Sequence, residues 1–505
     1  MSLTYWNMIV LSLKIIYITC SIGLFLIGLN SILTSILYLK NRAKVWGVPA
    51  QPAPSQWPAV TIQLPIYNER YVLDRLIRSV TGLDYPADCL QIQVLDDSTD
   101  SSSEQALCLV NQYHALGFNI QYIHRTSRAG YKAGALSEGL RTATGELIAV
   151  FDADFTPASN WLKQVIPCFQ EARVGFVQTR WAYLNRPNNL VTRMASLVMD
   201  AHFVVEQTAR VGSGLLTNFN GSGGIWRRAA IESAGGWQTD TLTEDLDLSL
   251  RAQAAGWKAA YLPEVSVPSE SPAQIDAYKK QQFRWVKGTI QVVRKDLKPL
   301  WGSGLAFLPR LMMAVNLVLL GWSFLLVLLA QLLFLPIGLL APGIIPVLSF
   351  SGVVAIGPAM LSLFARTEEL PRLRDRLVLL PALMMLGMGV SVNNTIGALS
   401  GLVSMGGVFE RTPKFDLASQ NGKWADNHYA VRISPVVCGE LAMALYFGVA
   451  LFVLVPRLGL GIVPYILVSA GSYLMVALMS LGQNVQRMQG TLVKKRTEHS
   501  TGTVC

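Results

Sequence analysis

Two regimes of apolar patterning divide the chain. From Ala59 to about residue 272, short β-branched runs alternate with stretches of helical periodicity. Residues 15–39, and most of the chain after Phe307, are instead long and continuously apolar. In the first regime Val60–Ile66, Leu90–Leu95, Ile120–His124, Leu147–Phe151 and Val174–Thr179 predict strands. Arg70–Thr81, Ser102–Leu116, Lys132–Thr142 and Trp161–Phe169 predict the helices between them. Such alternation implies an α/β domain with a mostly parallel sheet. Ligands of these sheets sit beyond the carboxyl ends of the strands, so the residues directly after each strand are the ones to examine.

The second regime predicts membrane helices. Residues 15–39 are too long for a signal-peptide core and lack a small-residue cleavage site, so they read as a retained anchor. Further spans are expected at 311–335, 344–364, 435–455 and 462–482. The apolar run 377–405 has basic flanks on both sides, Arg366–Arg376 and Arg411–Arg432, which a single crossing forbids. With Asn393 and Asn394 in its middle, it reads as a bent or interfacial segment. The expected organisation is a membrane helix at 1–40, a Pro/Ala-rich linker at 41–58 and a catalytic domain at 59–272. Interfacial helices follow at 273–310, then spans with the interfacial segment at 311–405 and a polar loop at 406–434. Two more spans at 435–485 and a cytoplasmic tail at 486–505 complete it, with the N-terminus outside.

Composition agrees with that division. Of 505 residues, 51% are hydrophobic and only 15% charged, which is not the balance of an ordinary soluble enzyme. The net charge of +10 comes with basic residues set beside apolar runs: Lys40, Arg42 and Lys44 after the first, Lys494, Lys495 and Arg496 after the last. That is the distribution of a protein oriented in lipid, not a stripe for a phosphate backbone, so lipid is an expected partner and nucleic acid is not. The six cysteines are scattered, without metal-site spacing, and read as reduced thiols.

The strand ends carry the candidate chemistry. The first strand runs into Tyr67-Asn68-Glu69, the second into Asp96-Asp97-Ser98-Thr99-Asp100 and the fourth into Asp152-Ala153-Asp154. Alternate residues of a strand share a side, so Asp152 and Asp154 are expected to converge on one ligand, with hard oxygens suited to Mg²⁺ or Mn²⁺. Turn carboxylates capping the next helix are the bland alternative. Lys132 opens a helix where backbone N–H groups meet anions, and is otherwise an exposed turn lysine. The glycine-rich stretch Asn218–Gly224 permits close approach to a ligand, or simply a tight turn. Thr243-Glu244-Asp245 precedes a helical run; Asp245 is a candidate general base, but Thr241 and Glu244 also have capping-box spacing. Gln281, Arg284 and Trp285 fall on one helix face, which suits a phosphate and a sugar ring or equally an interfacial membrane anchor.

In this order, Asp97, Asp152-Ala153-Asp154, Thr243-Glu244-Asp245 and Gln281-Gln282-Phe283-Arg284-Trp285 resemble the D, DxD, TED and QxxRW motifs of membrane-embedded family 2 glycosyltransferases. The match runs from about Pro58 to Lys298 and is similar to the cellulose-synthase-like branches that make mannan, glucomannan and β-glucan backbones. The resemblance implies an α/β GT-A (Rossmann-like) catalytic domain inserted between transmembrane helices. Tyr67, Glu69, Asp97, Lys132, Asp152 and Arg284 would bind the nucleotide sugar, and Asp152 with Asp154 a Mg²⁺ or Mn²⁺ cofactor. Asp245 would be the base, ionised with a pKa near the usual value of about 3.9, and Gln281, Trp285 and Glu244 would hold the growing glycan acceptor. Phe409, Thr412 and Lys414 are similar to a gating loop, FxVTxK, with Arg411 in place of valine.

The implied activity is processive, inverting polymerisation of a β-linked glycan from UDP-glucose or GDP-mannose at the cytoplasmic face, with export through the chain's own channel. The expected location is the bacterial inner (plasma) membrane. A non-processive glycolipid glucosyltransferase with a ceramide or diacylglycerol acceptor is the alternative; an inactive scaffold or transporter ranks last, since the carboxylates are all present. The chain ends soon after its last span, so a C-terminal cyclic-di-GMP domain is not expected. Donor, linkage and oligomeric state stay open at this level.

Overall fold

The computed structural model describes residues 2–47, 52–345, 357–417, 424–425 and 428–501. Its centre is a seven-stranded sheet, β1 (Val60–Ile66), β2 (Leu90–Asp96), β3 (Ile120–His124), β4 (Leu147–Val150), β5 (Val174–Tyr183), β6 (Gly224–Arg227) and β7 (Lys258–Ser269). The order is β3-β2-β1-β4-β6-β5-β7. Strands β1 to β4 pair in parallel, as alternation with helices requires. The antiparallel β6 is wedged between β4 and β5, and β7 pairs in parallel with β5. Neither β6 nor β7 stands out in the sequence: β6 has four residues and β7 contains two prolines.

Both faces of the sheet are covered: β4 is apolar throughout, and the polar residues that alternate along β1 and β2, Thr61, Gln63, Gln91 and Gln93, are buried and pair across the strands, Thr61 donating to Gln91 and Gln63 to Gln93. Ile62, Leu64, Val94 and Phe151 pack on one side with Leu76, Trp161 and Leu162; Ile148, Val150, Phe176 and Trp226 pack on the other with Leu136 and Leu248. The expected helix Trp161–Phe169 is α-helical only over Trp161–Val165 and continues as a tighter turn through Ile166–Gln170. Pro167, which has no N–H to give an α-helical bond, accounts for the change.

Among the described residues, four helices outside the sheet are long and apolar enough to cross a membrane: Tyr5–Val45, Phe307–Leu340, Val436–Leu458 and Leu460–Gly490. Much of the predicted span 344–364 falls on residues 346–356, outside the described residues. The run 377–405 becomes two helices, Leu373–Gly389 and Ser391–Val403, which meet at 45° and together are long enough for one broken span. Asn393 and Asn394 are buried there in protein; the Asn393 amide donates to the Lys279 carbonyl at 2.8 Å.

One helix joins the two regions. Ile275–Gly302 leaves the sheet domain after β7 and packs against Ser391–Val403 and Phe307–Leu340. Its Lys279, 1% exposed, meets Glu440 Oε1 at 3.0 Å, Asp276 Oδ1 at 3.1 Å and Ser480 Oγ at 2.8 Å. A buried ammonium is tolerated only when so compensated, and two of the partners, Glu440 and Ser480, come from two apolar helices. Gln281–Trp285 starts two residues further along this anchored helix.

Candidate active site

The strand ends place the candidate residues along one edge of the sheet. After β1 the backbone turns through Asn68, which has φ +55°. The Asn68 N–H donates to Ser98 Oγ at 2.8 Å and its side-chain oxygen accepts the Thr99 N–H at 2.8 Å, so the segments after β1 and β2 hold each other. A non-glycine residue in that conformation is costly and persists only where its surroundings determine it. Tyr67 and Glu69 flank this turn. Glu69 is buried, and its carboxylate meets Arg411 at 2.9 Å.

Asp97 lies in a two-pronged ion pair with Arg125, at 2.7 and 2.5 Å. Arg125 also donates to the Ala129 and Tyr131 carbonyls, which shapes the segment leading to Lys132. That segment brings Arg128 over the Tyr67 ring at 3.5 Å. Neither arginine was singled out from sequence, although Arg125 directly follows β3 and the strand-end rule points to it. Lys132 stands in the first turn of Tyr131–Thr142, after Gly130 at φ +69° and Tyr131 at φ +50°. Its ammonium reaches Asp152 Oδ1 at 2.5 Å and the Gly221 carbonyl at 2.8 Å. Burial works against the charge on Lys132, but Asp152 and Glu244 outweigh it and its pKa is raised.

The argument from strand alternation does not hold for the two aspartates. β4 ends at Val150, so Asp152 and Asp154 lie in the turn beyond it. Asp152 is more than a third exposed and faces Lys132, whereas Asp154 is nearly buried. Asp154 Oδ2 accepts from the Glu270 N–H at 2.7 Å and from Lys414 Nζ at 2.8 Å. Each carboxylate thus carries an ammonium group. Among the described residues no three His, Cys, Asp or Glu side chains gather as a metal cluster. Two hard carboxylates that already attract cations are nevertheless of the donor type that would suit a divalent ion.

Thr243-Glu244-Asp245 opens the helix Glu244–Ala254, and the capping box is not formed. Thr243, not Thr241, is the capping residue, without a side-chain bond, and both hydroxyls are buried without partners. The acids are therefore not accounted for by that cap. Asp245 faces Gly221, where an added Cβ would stand 3.0 Å from Asp245 Oδ2 and 3.4 Å from Lys132 Nζ, so only glycine leaves the space clear. Burial and the neighbouring Glu244 push Asp245 up to about 7, opposed by Lys132. This corrects the expectation of an ordinary aspartate: desolvation disfavours the charge.

Arg284 projects from the joining helix toward the same groups; burial lowers its pKa, while Glu244, Asp152 and Asp245 raise it. It donates to the Glu410 carbonyl at 3.0 Å and lies over the Phe409 ring at 4.0 Å. Gln281 and Trp285 are partly accessible on that helix. Gly288 brings it against the Thr243 segment: a Cβ there would meet Thr243 Cγ2 at 2.5 Å. The loop after Ser404 closes over all of this. Phe409 stacks near Tyr131 and its carbonyl accepts from Arg128; Arg411 lies over the Tyr429 ring as well as on Glu69; Lys414 holds Asp154. Thr412 is buried, with its hydroxyl unpartnered. Glu270, which binds Phe415 N–H and Arg75, directly follows β7 and went unnoticed because that strand did.

Residues 58–288 match the family described as glycosyltransferase like family 2. This segment is a family 2 glycosyltransferase domain. Glucomannan 4-beta-mannosyltransferase 2 of Arabidopsis thaliana is 43% identical over 246 residues, 48% of this chain and 46% of that protein. Glucomannan 4-beta-mannosyltransferase 1 of Oryza sativa subsp. japonica is 42% identical over 248 residues, 48% of each. The chain therefore spans about half the length of the curated relatives it matches. Among solved structures, mannosyltransferase PcManGT from Pyrobaculum calidifontis, in complex with GDP-Man and Mn²⁺, is 23% identical, with TM-score 0.49 over 70% of this chain and 99% of that one. The glycosyltransferase domain here has the GT-A type of α/β sheet with apolar helices flanking it.

Proposed function

We propose that this glycosyltransferase builds a β-linked mannan or glucomannan backbone from a nucleotide sugar, GDP-mannose or UDP-glucose, taken from the cytoplasm. One observation carries the reading most: a carboxyl with its pKa near neutrality, Asp245, uncommitted to a capping box, beside Lys132 and Asp152 at the sheet edge. A base for a sugar hydroxyl works best with a pKa near the operating pH. The activity for which the relatives are named, glucomannan 4-beta-mannosyl transfer, supports mannose as the transferred sugar and makes GDP-mannose our first choice of donor.

In this reading Asp245 takes the proton from the acceptor hydroxyl as that oxygen attacks the anomeric carbon, which inverts the configuration there. Lys132 and Arg284 are placed to oppose charge developing on the departing diphosphate, the larger electrostatic part of such catalysis. Asp152 and Asp154 would hold a divalent ion, Mg²⁺ or Mn²⁺, which when bound neutralises the diphosphate. Tyr67, Glu69 and Asp97 line the nucleoside side, while Gln281, Glu244 and the indole of Trp285 orient the acceptor sugar. For Asp154 to take the ion its bond to Lys414 must open, and Phe409 and Thr412 lie on the same loop as Lys414. The apolar helices would carry the product out of the cytoplasm.

The test is to incubate the purified chain with each donor separately, plus Mg²⁺ or Mn²⁺, and to digest the product with linkage-specific hydrolases. A polymer cut by a β-1,4-mannanase is expected with GDP-mannose. A short, organic-extractable product would point to a lipid acceptor and remove the polymer reading. Asp245→Asn is expected to abolish transfer with nucleotide-sugar binding kept; near-normal turnover would remove the base assignment.

A further inference from the structure

Gln291, on the joining helix Ile275–Gly302, is wholly buried, and its carboxamide is committed to two other segments of the chain. Its Oε1 accepts the Leu242 N–H at 3.0 Å, just ahead of Thr243-Glu244-Asp245. Its Nε2 donates to the Ser404 carbonyl at 2.9 Å and to the Gly406 carbonyl at 2.7 Å. A carboxamide has two N–H donors and one carbonyl, and here each is engaged. The Gly406 N–H then returns to the Asp240 carbonyl at 2.7 Å. The segment that carries the candidate base, the joining helix and the start of the covering loop are thus closed into one ring of hydrogen bonds. Lys295, one turn further along the same helix, fastens Asp240 Oδ1 at 2.6 Å and Asp247 Oδ1 at 2.7 Å.

The ring lies where the loop bends. The helix Ser391–Val403 is fixed to the joining helix, with Arg294 donating to the Gly401 carbonyl at 2.7 Å. Beyond that helix Gly406 at φ +62° and Gly407 at φ +135° turn the chain. From there Phe409, Glu410, Arg411 and Lys414 reach Tyr131, Arg284, Glu69 and Asp154. A buried glutamine that only satisfied loop carbonyls would be ordinary packing, since buried polar groups find partners. This one holds the base segment with the same planar group, so a shift on either side is passed to the other. We propose that Gln291 is a positioning residue, locking the bend at Ser404–Gly406 to Leu242–Asp245 so that the seating of the loop fixes where the Asp245 carboxyl stands. The proposal rests on the reading of Asp245 as the base and adds to it a residue that the sequence did not single out.

The experiment uses the full chain in lipid nanodiscs. Transfer from GDP-mannose to β-1,4-mannotriose gives kcat and the donor KM, and hydrogen exchange read by mass spectrometry follows residues 240–248. The proteins are wild type, Gln291→Met, Gly406→Ala, Gly406→Asn and the double variant Gln291→Met/Gly406→Ala. Gln291→Met keeps the side-chain length and removes all three bonds. A Cβ on Gly406 would meet nothing closer than the Asp240 carbonyl oxygen at 3.8 Å, so Gly406→Ala disturbs the positive φ alone. Asparagine tolerates that φ, and Gly406→Asn should lose less. Gln291→Met and Gly406→Ala should each lower kcat roughly tenfold with donor KM within about twofold, as displacement of a base does. The double variant should also lose roughly tenfold rather than a hundredfold, because both changes act through one linkage. Gly406→Ala should speed exchange across 242–246, and should add nothing in the Gln291→Met background. A loss of thermal stability with kcat kept would make Gln291 a packing residue and overturn the proposal. So would multiplied losses in the double variant, or faster exchange at 242–246 that Gly406→Ala still adds to Gln291→Met. If Gln291→Met does not fold, Gly406→Ala decides: exchange altered in the loop alone overturns the linkage. Wild-type protein without transfer from either donor removes the glycan-synthesis reading and this role together; normal wild-type transfer with unaltered variants removes this role alone.

Discussion

The Asp245 carboxyl allows a quantitative test through the pH dependence of transfer. With its pKa at about 7, roughly half of the enzyme carries the ionised base at pH 7, about a tenth at pH 6 and about nine tenths at pH 8. An ordinary aspartate would be ionised throughout that range. The rate at saturating donor should therefore fall about tenfold per pH unit below 6 and level off above 8. The cause is tested by changing its neighbours. Glu244 raises the Asp245 pKa and Lys132 lowers it, so Glu244→Gln should move the midpoint to lower pH and Lys132→Met to higher pH. Initial rates by nucleoside-diphosphate release, in buffers of constant ionic strength from pH 5 to 9, measure all three profiles. A flat wild-type profile between pH 5.5 and 8, or a Glu244→Gln midpoint displaced upward, would refute the reasoning.

Other consequences follow from the same geometry. Trp285→Ala should raise the KM for an oligosaccharide acceptor with GDP affinity kept, whereas Arg284→Ala should lower kcat by about 10²-fold or more through loss of charge stabilisation; steady-state kinetics separate the two. If both variants lost only stability, the membrane-anchor role of that face would return. Gly288→Ala places a methyl within 2.5 Å of Thr243 Cγ2 and should displace the Glu244–Asp245 turn, with activity reduced about tenfold or more while the protein still purifies. Asp296 is pushed up to about 8 by burial and by Asp247. Its folded form keeps a proton that the unfolded chain releases near pH 4, so this group's contribution to stability is whole below that pH and declines as pH rises to about 8. Asp296→Asn should therefore flatten the fall in thermal midpoint between pH 6 and 8.5; equal slopes in the two proteins would count against it.

Local patterning was enough for much of the fold. The five predicted strands start at the observed residues, Val60, Leu90, Ile120, Leu147 and Val174, because buried strands concentrate β-branched and other apolar residues in short runs. Short motifs directly after those strands marked Glu69, Asp97, Asp152 and Asp154, since a strand end is a local address, while Asp245 and Arg284 were marked by a helix start and a helix face. Strands β6 and β7 were hidden: one is too short to show a period, and the other is broken by prolines and a register shift against β5. With β7 unseen, Glu270 had no address.

What the tertiary structure alone decided is which groups face one another. The spacing of Thr241 and Glu244 permits a capping box, yet the helix begins at Glu244 with Thr243 as its N-cap, and both threonine hydroxyls are left without partners. Asp152 and Asp154, two residues apart, part toward different lysines because the strand ends before them. Arg411 meets Glu69 across 342 positions of sequence, and Arg284 meets the Glu410 carbonyl across 126. Sequence by itself determined the chemical types and their order along the chain, because these depend on neighbours within a few residues. Charge, pKa and partner depend instead on desolvation and on distances between remote segments, and those quantities exist only once the chain has closed on itself.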